Sequence, residues 1–160
     1  MKLKKVFGKI WIGPGDEVKA VCHKFMGGDV DLGDLPIHKG PSGYAILDVA
    51  DDYPEYPHPR DVMFLHAGLN DGDDNSIYAY IHALSALQFL ENGPWDVFVH
   101  CHEGVSQSCF VVAVYIATVL RIPYFEAKEM LHKLYPREHI HPKHDPFADE
   151  LIQLNLEMWS

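Results

Sequence analysis

Cysteine is scarce in this chain. The 160 residues hold three, Cys22, Cys101 and Cys109, an odd count in no paired spacing. That excludes a disulfide framework and predicts a reducing, intracellular setting, the cytoplasm. Basic residues are also few: 13 Lys and Arg stand against 23 Asp and Glu, a formal net charge of −10. Such a balance argues against general binding to nucleic acid or to an anionic membrane, so neither is expected as a partner. Long hydrophobic runs are missing too. The longest, Cys109 to Leu120, stops at Arg121 and is too short to cross a bilayer. The start, Met1-Lys2-Leu3-Lys4-Lys5, resembles the basic end of a secretion signal. The apolar stretch after it contains Lys9 and ends at Gly13-Pro14-Gly15, so no signal peptide is expected. No internal repeat, low-complexity tract or domain boundary is evident, and a single domain acting as a monomer is predicted.

What is present is an ordinary globular composition, 48% hydrophobic and 12% aromatic, enough to build a buried core. Lys5 to Ile12 reads as a strand stopped by Gly-Pro-Gly, with Asp16 as N-cap of a helix to Phe25. A Gly- and Asp-rich loop follows from Gly27 to Gly43. Further strands are predicted over Tyr44 to Val49 and Val62 to Ala67. Between them, Asp51 to Arg60 carries three prolines and reads as an exposed loop; Tyr53 and Tyr56 are candidates for a substrate-selecting rim, although exposed Pro-rich turns usually do nothing specific. After an acidic loop from Leu69 to Asn75, a helix is predicted over Ser76 to Glu91, with Ile77, Tyr80, Ile81, Leu84, Leu87 and Leu90 at helical spacing. Val97 to Val99, apolar without alternation, predicts a central buried strand. A long helix from Cys109 to Leu120, another from Pro123 to Leu134, a His-rich loop over Arg137 to Asp145 and a last helix from Phe147 to Trp159 complete the chain. Strands alternating with helices predict an α/β fold with a largely parallel central sheet of four or five strands, flanked by helices in three layers. Ligands of such sheets bind at the carboxyl ends of strands, where Cys101 falls.

The chemistry concentrates in His100-Cys101-His102-Glu103-Gly104-Val105-Ser106-Gln107-Ser108. A strand, a tight polar loop and a helix N-terminus form an arrangement for holding an anion, because loop amides and helix dipole both favour negative charge. A Cys there has the exposure and positive potential that a thiolate nucleophile needs. Ser108 is placed to hydrogen-bond its sulfur, and Gly104 permits backbone angles that a Cβ resists.

This stretch resembles the phosphate loop of cysteine-dependent protein phosphatases, and more narrowly the dual-specificity group with its H-C-x5-R-[ST] signature. "IWIG", "AILDV", "FLHAGLNDGDD", "DVFVHC" and "HPKHDPFADELIQLN" resemble landmarks of the same group, so the resemblance covers nearly the whole chain. It implies a three-layer cysteine-phosphatase fold and hydrolysis of phosphotyrosine, phosphoserine or phosphothreonine monoesters through a cysteinyl-phosphate on Cys101, without a cofactor or metal. The partner would be a phosphoprotein or a small phosphomonoester. The resemblance makes Asp71, 30 residues before the cysteine, the acid that protonates the leaving oxygen, with Asp73 and Asp74 as rivals. It makes His100, His102, Glu103, Gly104, Val105, Ser106 and Gln107 the phosphate loop, with His100 orienting it.

Two departures stand out. Where the group has Arg, this chain has Gln107, a neutral amide in place of a bidentate cation. One lost donor to a developing oxyanion costs about 10²–10³ in rate. A lost arginine in phosphoryl transfer costs about 10³–10⁵. The alternatives are weak catalysis, a catalytically dead pseudophosphatase that binds phosphate, or compensation by Arg60, Arg137, Lys143 or protonated His102; an engineered trapping substitution would look the same. The second departure is Pro142-Lys143, where the group has Pro-Asn with the Asn bracing the loop. His139, His141 and His144 have the residue types of a metal site, with His132 nearby, but their spacing and Pro142 favour surface imidazoles in a turn.

Overall fold

In a computed structural model, which describes residues 2–35, 37–71 and 75–159, five strands form one sheet in the order β1-β2-β5-β3-β4. β1 (Lys4–Phe7) and β2 (Ile10–Pro14) make an antiparallel hairpin, and the other pairings are parallel. The single strand predicted over Lys5 to Ile12 is therefore two. Gly8 takes φ +52°, a left-handed angle that turns the chain back on itself within what reads as one β-rich run.

β3 (Tyr44–Ala50), β4 (Met63–Leu69) and β5 (Asp96–Cys101) match the predicted strands but run longer, so His100 and Cys101 belong to the strand itself. β5 lies in the middle, paired with β2 on one side and β3 on the other. α1 (Gly15–Phe25) covers one face of the sheet. α2 (Ile77–Glu91), α3 (Gln107–Leu120), α4 (Tyr124–Leu134) and α5 (Ala148–Met158) cover the other. The result is the three-layer α/β architecture. Ser76 caps α2, its Oγ accepting from the Ala79 N–H at 3.3 Å. Asp16 does not cap α1: Pro14 occupies that position, and the Asp16 carboxylate accepts the Tyr53 hydroxyl at 2.5 Å. α3 is buried from Gln107 to Thr118, the central helix of the fold.

Side chains alternate along β5. Val97, Val99 and Cys101 face the four helices, whereas Phe98 packs among the α1-side residues. This alternation sends adjacent residues of the strand end to opposite sides of the sheet. Tyr56, predicted on an exposed loop, is buried on the α1 side; its neighbours on that loop are largely exposed.

Candidate active site

Cys101 ends β5 and lines a cleft of about 180 Å³, but the strand end does not expose it as expected: the residue is 1% exposed, packed under the loop and the first turn of α3. Its Sγ lies 3.3 Å from the Ser108 hydroxyl, in the first turn of α3. The loop from Cys101 to Gln107 lines one side of the cleft, and Asp51, Asp52, Asn70 and Asp71 line the other.

The loop between them has an ordered polarity. Five successive carbonyls are each tied away from the cleft. His102 O accepts from the Gly15 N–H at 2.9 Å, Val105 O from the His139 N–H at 2.7 Å and Ser106 O from the Phe110 N–H at 2.8 Å. Glu103 O accepts from Arg137 Nη1 at 3.0 Å, and Gly104 O from the Cys109 thiol at 3.6 Å. In a trans peptide, C=O and the next N–H point in opposite directions, and no peptide bond described is cis. Fixing these carbonyls outward turns the amides of residues 103–107 inward, making the concave donor nest that anions occupy. Gly104 makes the turn possible. Its φ is +72°, and a Cβ there would lie 2.5 Å from the main-chain carbon of Gly13.

The structure brings Asp71 to the same cleft. Its Oδ1 accepts from the Ser106 hydroxyl at 2.6 Å and from His144 Nε2 at 3.0 Å. Asp73 and Asp74, the rival acids, lie outside the described residues. Ser106 Oγ also accepts from the His141 N–H at 3.0 Å, so the loop is braced from the His-rich segment. That segment is not a set of surface imidazoles throughout. His144 is wholly buried, with Nδ1 2.7 Å from the Tyr80 hydroxyl, and desolvation lowers its pKa below 6.5 despite Asp71. Bracing lost at Pro142-Lys143 is thus supplied by the main-chain amides of His139 and His141 and by the Arg137 guanidinium, whereas His144 holds Asp71.

His100 is not a lining residue of the loop. It points to the α1 side, buried, with Nδ1 2.8 Å from the Cys101 carbonyl and Nε2 2.8 Å from the Tyr56 hydroxyl. The carbonyl can only accept, so Nδ1 donates and Nε2 accepts the Tyr56 proton. Burial lowers the His100 pKa, opposed by Asp48, whose carboxylate oxygen lies 3.8 Å from Nδ1. Burial raises the Asp48 carboxyl in turn, opposed by His100. A neutral imidazole therefore fixes the Cys101 carbonyl.

Gln107 begins α3, buried to 5% exposure, and its side chain lines the cleft. Nε2 donates one bond, to the Leu69 carbonyl at 3.3 Å. None of Arg60, Arg137 and Lys143 lines the cleft among the described residues. Arg137 is spent behind the loop, on Glu103 O and on the Tyr135 hydroxyl at 3.0 Å. His102 does line it, but its Nε2 is 2.7 Å from Asp52.

Several of these residues were beyond sequence reasoning. Asp51, Asp52 and Asn70 reach the cleft through the parallel register of β3 and β4, and His144 pairs with groups 64 and 73 residues away. The loop signature alone signals none of these pairings.

No protein-family model matches the chain, and no curated protein matches it in sequence. Solved structures match it along nearly its whole length. Human DUSP28 superposes with a TM-score of 0.70 at 14% identity, covering 98% of this chain and 99% of that one. The human tyrosine phosphatase-like serine/threonine/tyrosine-interacting protein gives 0.73 at 13%, covering 96% and 97%. A mouse protein assigned to the dual specificity phosphatases, solved with zinc tungstate, gives 0.75 at 13%, covering 99% and 91%. The chain has the cysteine-phosphatase fold in its dual-specificity form.

Proposed function

We propose that this domain is a dual-specificity-type protein phosphatase that binds phosphate monoesters at the Cys101 loop and hydrolyses them slowly. The outward fixing of carbonyls 102–106 is the observation that carries this reading, since it leaves a run of amide donors in the loop that lines the same cleft as Cys101. The Cys101 thiolate attacks phosphorus, the P–O bond to the leaving group breaks, and Asp71 gives that oxygen its proton. Water then cleaves the S–P bond, with Asp71 taking the proton back and Ser108 donating to the departing sulfur. The substrate is a phosphoprotein bearing phosphotyrosine, phosphoserine or phosphothreonine, or a small phosphomonoester, handled without a cofactor in the cytoplasm by a monomer.

Gln107 limits the rate. The cleft offers amides where an arginine would follow the charge into the transition state, a difference of about 10³–10⁵ in phosphoryl transfer. The same observation favours a second reading, a pseudophosphatase that holds phosphorylated ligands without turnover.

Hydrolysis of an activated aryl phosphate by the wild type, Cys101→Ser and Gln107→Arg decides between them. The hydrolase reading expects slow wild-type turnover, none in Cys101→Ser, and at least a tenfold gain in Gln107→Arg. A wild type already fast and unimproved by Gln107→Arg would overturn this account of the loop. Tight phosphate binding with both wild type and Gln107→Arg inactive would establish the binding module.

A further inference from the structure

Asp71 is held asymmetrically. Both of its hydrogen bonds fall on Oδ1, one from Ser106 Oγ at 2.6 Å and one from His144 Nε2 at 3.0 Å. Among the described residues, Oδ2 takes none, although the side chain lines the cleft and is 39% exposed. A carboxyl group that rotates freely presents either oxygen, with its proton on either. A carboxyl pinned through Oδ1 has only Oδ2 left on which to carry a proton toward a ligand.

The residue that pins it is itself immobile. His144 is wholly buried and stacks on Phe110, with ring centroids 5.2 Å apart and planes inclined by 23°. Tyr80 sits on its far nitrogen at 2.7 Å. Its backbone is tied in a turn, its N–H to His141 O at 3.0 Å and its carbonyl to the Phe147 N–H at 3.0 Å. The charged and titratable groups facing it are Asp71, Tyr80, His141 and Asp145.

We propose that His144 is the positioning residue for Asp71: Nε2–H, aimed by the Tyr80 hydroxyl on Nδ1, holds Oδ1 as a permanent acceptor and so makes Oδ2 the oxygen that delivers the proton to the leaving group. This rests on the reading of Asp71 as the proton donor. The step balances simply. Oδ2–H passes its proton to the leaving oxygen as the P–O bond breaks, and the negative charge left on the carboxylate is met by the donors already on Oδ1. A neutral imidazole suits the role. It donates to the acid and to the carboxylate alike, whereas an imidazolium would hold Asp71 as an ion pair and oppose its protonation. Burial of His144 keeps it in the neutral form.

The test uses the Gln107→Arg background and two substrates. Dinitrophenyl phosphate has a leaving group that needs no proton, and phenyl phosphate has one that does. His144→Leu is expected to leave kcat on the first within about twofold and lower it on the second by about 10- to 100-fold, the scale of a misplaced acid. His144→Gln, whose amide reaches the Nε2 position, restores most of the loss. Adding His144→Leu to Asp71→Asn costs nothing further on phenyl phosphate, because both act at one step. Equal losses on the two substrates, or losses that add, would overturn the proposal. If Gln107→Arg shows no turnover, the hydrolase reading falls, and the positioning is then decided by nitrogen-15 NMR of the wild-type His144 ring. The expected signal is an Nε2–H tautomer across neutral pH that shifts in Asp71→Ala. An Nδ1–H tautomer, or a ring indifferent to Asp71→Ala, would refute it; the same spectra decide the matter if His144→Leu does not fold.

Discussion

Replacing Gly104 by alanine tests whether the loop geometry is an imposed feature of the fold. The residue stands at φ +72°, and a side chain in that region costs about 1–3 kcal/mol. Space adds to the cost. The new Cβ would lie 2.5 and 2.6 Å from the carbonyl carbon and oxygen of Gly13 and 2.8 Å from the nitrogen of Pro14, all main-chain atoms. These cannot retreat cheaply, because Gly13 and Pro14 are in register with His100 and Cys101 in the central ladder. Overpacking of this kind costs a further ~1–3 kcal/mol. The sum, about 2–6 kcal/mol, corresponds to a loss of at least about 4 °C in Tm for a domain of this size. Thermal and urea unfolding measure the stability, and calorimetric titration with tungstate or phosphate measures the nest, whose affinity is expected to fall at least tenfold as the amides turn. Gly40→Ala is the control. A Cβ there meets nothing within 4 Å, and a neutral or slightly stabilising change is expected. A Gly104→Ala protein that melts within about 1 °C of wild type and binds oxyanion as well would refute the reasoning.

Stability is expected to fall as pH drops below about 6.5. His100 and His144 have lowered pKa values in the fold, so the unfolded chain takes up their protons first, costing up to about 1.4 kcal/mol per pH unit for each. Asp48, raised from 3.8, acts with the opposite sign, binding its proton first in the fold. Urea titrations from neutral to mildly acid pH measure the net slope, and a flat profile from pH 7.5 to 6 would contradict the histidine argument. Tyr56→Phe removes the buried donor to His100 Nε2 and is expected to cost about 1–3 kcal/mol by the same titration, whereas a change near zero would show that the bond is idle. Alkylation followed by mass spectrometry is expected to label Cys101 first and to be slowed by tungstate. Burial raises Cys22 to about 11 and Cys109 well above its usual range, so faster labelling of either would count against the site.

What the sequence made legible was local. The run Val97 to Val99 followed by Cys101, Gly104 and Ser108 marks a strand, a loop that needs a left-handed residue and a helix start within twelve positions, and the structure has all three. The helix over Ser76 to Glu91 announces itself by periodicity and by a capping serine. The hairpin at Gly8 is hidden because its two strands are short and the glycine between them carries no second turn residue. The burial of Tyr56 and of His144 is hidden in the sequence for a different reason. Each sits in a polar, proline-containing stretch whose composition describes its exposed neighbours, while its own burial comes from a distant partner, His100 for one and Tyr80 for the other. Only resemblance, not pattern, points to Asp71, since an aspartate in a turn has no local mark of what faces it.

The cleft's lining bears on how its occupant arrives. Asp51, Asp52, Asp71 and Glu103 surround the opening, and no Lys or Arg joins them among the described residues. On the proposed function, a phosphate dianion would be repelled on approach by the carboxylates of Asp51, Asp52 and Glu103, which act over several ångströms, then held at contact by amides that act only at the last one. Added salt shortens the Debye length to about 10 Å at 0.1 M and weakens the distant repulsion more than the close hold. Capture of phosphate by this domain should therefore quicken as ionic strength rises, the reverse of the behaviour of a site that draws anions in with arginine.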